Sequence, residues 1–552
     1  MSAKVLNSEN FLRFNIRLMK KTATLSLLMS AGVLGAFAQG TLSGEFMANA
    51  NFYVRDSAIN ANNQLYNNYK SGGEAWLGLR YNYKGFTATL RMDAMQNSNL
   101  YLPGTPYTTF GIGSWSLSKD IGKASITGGY IYDQIGSGIL FRSYEDRGLL
   151  IDNALVGARV KYQLTDNINI KAMVGQQKDV SAVNKFYGPI IKTFSAEGDF
   201  QAGNVHLSPG VGALNRTMDQ TSMNAVVSSI NNMEVEARFV PRYNNYAFTA
   251  YNTLSVGNFS WYAEGSYKTH EAIVDPYQSD SLYDAPGSVV YTTLGYAQKG
   301  IAVNLTGKRT ENFSMRTSPN ETLIRGIMNW QPIIARLHPQ RLMARYTPAS
   351  QDLSEQGTNM DLLITPNDNL TITTDFTYIN NLNNIELYRE AYGEFEYRGM
   401  KKWLFDGGVQ YMHYNQQLYQ VTPVKDPIVK ATTPFLEVTY RINRKQSLRF
   451  EGEYMFTKQD YGDWAFALLE YNIAPKWSFS ASDMYPTHLN PNNRDNIQTA
   501  VHYFNVFGAF TQGANRFTLS YVRQPSGINC TGGVCRYEPA FNGLKIGLTS
   551  SF

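Results

Sequence analysis

Charged residues are scarce in this 552-residue chain, at 17% of the total, and cysteine occurs only twice. With two cysteines and no histidine near them, a cysteine-based metal site lacks its other ligands. Their spacing is also not the Cys-x-x-Cys of a redox centre. The histidines, His206, His270, His338, His413, His488 and His502, are scattered and lack the His-Glu-x-x-His pattern of a zinc hydrolase. No Gly-Lys-Ser/Thr follows Gly136 and Gly138, which removes a phosphate loop. Mean hydropathy is −0.32, and beyond residue 38 no apolar run is long enough for a membrane helix. Excess basic charge is missing too. The formal +5 includes Lys4, Arg13, Arg17, Lys20 and Lys21 against Glu9, a net of +4 near the start, which leaves +1 and no case for a nucleic-acid partner. These absences point to no catalytic residue, no cofactor and no resident metal.

What is abundant is tyrosine, with 37, in a chain that is 13% aromatic. The one long apolar run lies in "MKKTATLSLLMSAGVLGAFAQG". Lys20 and Lys21 precede it, and Ala36-Phe37-Ala38 offers the small-x-small pattern of a signal-peptidase site. Residues 1–38 are therefore expected to be a signal peptide. Counting from Met19 gives a leader of ordinary length and marks Met19 as the expected start. No cysteine follows the leader, which argues against a lipoprotein anchor. At the other end, "NGLKIGLTSSF" places Leu544, Ile546, Leu548, Ser550 and Phe552 on one face of a final strand. An export signal at one end and a terminal Phe552 at the other fit a substrate of the bacterial barrel-assembly machinery.

Between the ends, runs of about ten residues alternate apolar and polar. "FTATLRMDAM" sets Phe86, Ala88, Leu90, Met92 and Ala94 against Arg91 and Asp93. "SLRFEGEYMF" sets Leu448, Phe450, Tyr454 and Phe456 against Arg449, Glu451 and Glu453. A soluble sandwich buries its apolar face, whereas a transmembrane barrel turns it to lipid and keeps charge in its lumen. Short turn signals recur at 82–85, 118–123, 164–167, 255–258 and 297–300. They continue at 366–369, 398–402, 443–446, 474–476 and 512–515. With both termini on the periplasmic side the strand number is even. The expected fold is all-β: a single large transmembrane antiparallel barrel of about 24 strands (range 20–26), with inward-folded loops. The domain is expected to span 39–552. Within it, 201–233 reads as a helical periplasmic-side insertion, because Met223, Val226, Val227, Ile230 and Met233 have helical spacing. It is either a partial lumen plug or a helix on a linker.

"DQIGSGILFRSYEDRG" falls between an ascending and a descending strand and is read as an outer-side loop. Its apolar centre, Ile139, Leu140 and Phe141, argues for folding inward, with Gly136 and Gly138 allowing the turn. Arg142, Glu145, Asp146 and Arg147 then either line a constriction or pair with the wall and fasten the loop. Residues 311–356 form a second long outer connection able to fold inward. Glu390, Glu394, Glu396, Glu451 and Glu453 are expected to give the lumen an acidic sector, which is a solvated wall in the first reading and a source of cation preference or divalent-ion binding in the second. Cys530 and Cys535, close together in the last outer loop of an exported chain, are expected to form a disulfide.

The stretches "YDQIGSGILFRSYEDRGLLIDNALVGARV", "AQKGIAVNLTGKRTENFSMR" and "GINCTGGVCRYEPAFNG" resemble an uncharacterised outer-membrane barrel family common in the Bacteroidota, a domain of unknown function. The resemblance covers most of the chain. It implies fold and compartment, the Gram-negative outer membrane, and it transfers no catalytic residue. The expected function is a porin-like channel or transporter for a small polar solute. The alternative is a non-conducting barrel that docks an envelope protein during assembly or secretion. An outer-membrane enzyme is the least supported reading. The partners expected are outer-membrane lipid, the assembly machinery and either that solute or that envelope protein.

Overall fold

A computed structural model of the chain describes residues 40–552 except 101–104, 149–150, 182–183, 276–277, 322–324, 350–352, 421–426, 492–499 and 532–533. The leader expected at 1–38, with its start at Met19, lies outside the described residues.

The strand Thr41–Tyr53 pairs antiparallel with Ser71–Tyr83 on one side and with the last strand, Phe541–Ser551, on the other. That seam closes the main sheet into a barrel. The sheet holds 25 strands, but the three-residue Phe200–Ala202 continues Phe186–Gly198 along the same neighbour, Val205–Thr217. The barrel therefore has 24 staves. Every second connection is a tight turn, as at Lys84–Gly85, Gly203 and Gly257, where glycine at positive φ (75°, 61° and 57°) turns the chain. The start of the strand Thr41–Tyr53 and Phe552 lie at this short-turn end, where Phe552 and Gly44 exchange backbone hydrogen bonds of 2.9 and 2.7 Å.

Alternation sorts the side chains as a membrane barrel requires. Phe110, Leu117, Val211, Phe248, Leu294 and Phe450 point outward and are exposed, whereas Arg91, Asp93, Glu264, Glu390 and Glu453 point inward and are buried. Aromatic pairs cluster beside the short turns: Phe259 with Tyr296 (4.7 Å), Trp403 with Tyr440 (4.5 Å) and Trp477 with Phe510 (4.5 Å). Amphipathic rings at that level mark one membrane–water interface.

The helical insertion needs correction. Val205–Thr217 is a full wall strand, and its preceding connection is a short turn at Gly203. The helix Gln220–Asn231 follows that strand, so it stands at the opposite end of the barrel, among the long loops and not with the short turns. The glycines that disguised the strand are inward positions with no room for a side chain. A Cβ on Gly212 would sit 2.6 Å from Ile135, and one on Gly210 would sit 2.2 Å from the Tyr251 ring. The helix is capped by Asp219, whose side chain accepts from Thr221 N (3.2 Å). Its apolar stripe, Met223, Val226 and Ile230, packs on Ala272 and Leu282 of the neighbouring strands.

Candidate functional site: the lumen plug

Two long-loop connections enter the barrel and interlock. In the 132–154 connection, Gly136 (φ +54°) and Gly138 (φ +100°) fold the chain back, and Gly138 N donates to Ile135 O (3.0 Å). Asp133–Ile135 then pairs with Phe141–Ser143 as a small hairpin. Its tip, Ile139, Leu140 and Phe141, is at most 1% exposed. The tip packs on Met173, Ile191, Leu214, Ala247 and Val289 of the wall and on Phe313, Met315 and Met328 of the 312–354 connection. Water would solvate three such side chains badly, at about 1.5–3 kcal/mol each, so burial inside the barrel drives the inward fold.

The second connection is stitched to the first through backbone groups and the Asn329 side chain. Arg142 N donates to Met328 O (2.9 Å), Trp330 N to Gly138 O (2.9 Å) and Asn329 Nδ2 to Ile139 O (2.9 Å). It then crosses the lumen. Ile334, Leu342, Tyr346 and Leu353 join a second apolar core with Tyr388, Tyr414 and Trp464 of the far wall and with Ile59, Leu65 and Tyr66 of the 54–70 connection. Together the connections make a packed bridge from one side of the wall to the other.

Charge fastens this bridge at its edge. Arg91 of the wall reaches Asp93 (2.7 Å), Asp152 (2.6 Å) and Glu145 (2.8 Å), and Lys178 reaches Asp152 (2.6 Å). Arg147 binds Glu145 (2.6 Å) and also the wall residue Glu45. Asp133 takes Arg159 (2.7 Å), Lys171 (2.7 Å) and Lys161 (3.5 Å). Burial disfavours the charged forms of Asp133 and Asp152, but the surrounding cations outweigh it and hold both carboxyls below the usual carboxylate range. A cavity of about 30 Å³, large enough for water, remains between Trp76, Arg91, Glu145 and Asp152.

The expected constriction residues thus separate. Glu145 and Arg147 join the ion-pair network. Arg142 instead lies over the rings of Tyr144 (4.5 Å) and Trp330 (4.9 Å). Asp146 pairs through its backbone with Ile151 in a two-residue ladder.

The acidic side of the lumen is more extensive than the five glutamates named from sequence. Glu396, Asp406, Glu437 and Glu451 stand directly opposite one another across four neighbouring strands. Like charges so placed repel, and Arg449 answers them, 2.7 Å from Glu437, 3.4 Å from Glu451 and 3.5 Å from Glu470. The plug supplies further cations and donors. Arg336 meets Asp361 (2.9 Å) and Glu394 (3.4 Å), His338 meets Glu390 (2.5 Å), and the backbone N–H groups of Arg341 and Leu342 donate to Glu453 (2.7 and 2.9 Å). Sequence reasoning missed Asp361, Asp406, Glu437, Glu470 and Arg336, and it named His338 but not its place beside Glu390. The available signal was the turn positions, which fix which strands lie side by side.

Each histidine sits beside a carboxylate, from His338–Glu390 inside the plug to His502–Asp483 (2.6 Å) at the surface. Cys530 and Cys535 are directly opposite in a two-stranded hairpin, Gly527–Thr531 with Val534–Glu538; their side chains lie outside the described residues. The Phe552 ring covers Gly44, where a Cβ would come within 2.5 Å of it.

The chain belongs to the Family of unknown function (DUF6029), whose profile matches residues 19–552. No curated protein matches it. Among solved structures it is similar to the P pilus usher (PapC) translocation pore, at 9% identity and a TM-score of 0.43, covering 93% of this chain and 99% of that one. It is also similar to the siderophore receptor PirA from Pseudomonas aeruginosa (8%, TM-score 0.41, 93% and 80% covered). A third is the FrpB iron transporter from Neisseria meningitidis (9%, TM-score 0.40, 93% and 82% covered).

Proposed function

We propose that the protein is an outer-membrane, porin-like barrel, closed at rest, that passes a small polar solute when its plug moves. The observation that carries this reading is the plug itself. Two connections cross the lumen and are fastened to the wall by ion pairs and hydrogen bonds at Asp133, Glu145, Arg147 and Arg336, contacts that can be exchanged without unfolding a strand. The inward carboxylates of Glu396, Asp406, Glu437 and Glu451 favour a cationic or neutral solute over an anion. Osmotic swelling of vesicles carrying the refolded barrel tests this. A barrel with residues 136–148 deleted is expected to admit a small amine faster than a carboxylate of equal size, whereas no uptake of either would defeat the reading.

A second reading, a non-conducting barrel that docks an envelope protein, draws on the dry packing of Ile139, Leu140 and Phe141. It predicts a stoichiometric partner on purification in mild detergent and no gain of uptake on loop deletion. In the exported compartment this proposal implies, Cys530 and Cys535 close the last outer hairpin as a disulfide.

A further inference from the structure

We propose that the outward face of the barrel around Lys430 binds the phosphate of a lipid headgroup in the leaflet at the long-loop end. Strand register sets Tyr378, Arg389, His413 and Lys430 directly opposite one another across four neighbouring strands. Ala431 pairs with Thr457 in the next strand, so Lys458, just beyond that strand's end, extends the row. Alternation puts the row on the same face as Phe376, Phe395, Val409, Leu436 and Phe456, which are exposed on the lipid side. The same strands turn Glu390, Glu394 and Glu396 inward. On Glu386–Met400 the carboxylates of Glu390, Glu394 and Glu396 thus face the lumen while Arg389 faces outward.

Height places the row at a headgroup level. Arg389 lies ~12 residues up its strand from the short turn at Lys401, a rise of about 30 Å at roughly 3.3 Å per residue and a tilt of about 40°. An apolar band of about 25 Å ends just below it. Tyr378, within the row, and Tyr411, two residues before His413, are both exposed, as aromatic residues are at a membrane interface.

The charges are only partly satisfied within the chain. Glu386 pairs with Arg389 and with His413 Nδ1 (2.8 Å), while Tyr411 Oη bonds His413 Nε2 (2.8 Å) and Arg389 lies over the Tyr378 ring (5.2 Å). Among the described residues no carboxylate lies within ion-pair distance of Lys430 or Lys458, and both are exposed. Two bare ammonium groups at the edge of a hydrocarbon layer, held in a row with a guanidinium, are complementary to a lipid phosphate.

Native mass spectrometry of the refolded full-length barrel in detergent tests the site. The probes are a bisphosphorylated glycolipid, its dephosphorylated form and inorganic phosphate. The phosphorylated lipid is expected to bind about one per barrel. K430Q/K458Q is expected to weaken it about thirtyfold, with K430R/K458R retaining it and K84Q/K445Q, at the opposite end, leaving it unchanged. Heat-dependent gel mobility confirms that each variant is folded; if the glutamine pair fails to fold, R389Q against R389K makes the same comparison. Equal binding by the charge-removed variant, by the dephosphorylated lipid or by inorganic phosphate overturns the proposal.

Discussion

Arg336 extends from the plug to the wall and lies against Asp361, Nη1 to Oδ2 at 2.9 Å, while its other nitrogen faces Glu394 at 3.4 Å. One guanidinium thus ties the crossing loop to two strands of the acidic side. The groups are partly solvated, so the tie is a modest one, at the scale of a screened ion pair. Arg336→Ala is expected to raise the frequency of transient openings in a planar bilayer about two- to fivefold, with Arg336→Lys intermediate because it loses the two-pronged geometry.

Phe141 supplies the largest fully buried side chain at the hairpin tip. Phe141→Ala is expected to cost the plug about 3–5 kcal/mol of packing. The wall strands do not depend on that contact, so heat-dependent gel mobility should stay that of a folded barrel. Protease cleavage between residues 136 and 148 should become rapid, and unchanged resistance would count against the packing described.

Acid is expected to loosen the plug. Asp133 and Asp152 have folded-state pKa values held below their unfolded values, so the stability they contribute is present above the ordinary aspartate pKa of about 3.9 and is lost as pH falls through the lower folded values. The part of the opening frequency that depends on Asp133 and Asp152, read as the difference between wild type and Asp152→Asn, should therefore be flat from pH 7 to about 4.5 and change below about 4. Asp152→Asn should raise openings already at pH 7, because Arg91 and Lys178 lose their shared counter-charge. Openings that respond to pH between 5 and 7 would implicate a different group.

The last outer hairpin offers a chemical check. Peptide mapping of protein purified without reductant is expected to recover Cys530 and Cys535 in one linked peptide. Reduction should leave the barrel folded, because this hairpin forms a sheet of its own beside the wall.

The wall was legible because lipid outside and water inside impose a two-residue period that survives in sequence, as "FTATLRMDAM" and "SLRFEGEYMF" show. Where that period fails, the strand is hidden in the sequence. In Val205–Thr217 two inward positions are glycines, Gly212 because Ile135 and Leu140 of the plug fill the space a side chain would need and Gly210 because the Tyr251 ring of the next strand does, so the apolar–polar alternation is lost there. The inward fold of the 132–154 connection followed from Ile139, Leu140 and Phe141 in an otherwise polar loop. Arg142 resting on Tyr144 and Trp330 did not follow, since Trp330 lies far along the chain and only the folded plug brings it close. The row Glu396–Asp406–Glu437–Glu451 was likewise hidden, because adjacency across strands depends on register.

The closed, movable plug is tested most directly by single-channel recording of the refolded wild-type barrel beside one lacking residues 136–148. The account predicts a wild type that is silent apart from brief openings, and a deletion variant with long-lived conductance steps that favour cations under a salt gradient. A deletion variant as silent as the wild type, with its barrel shown to be folded, would contradict it.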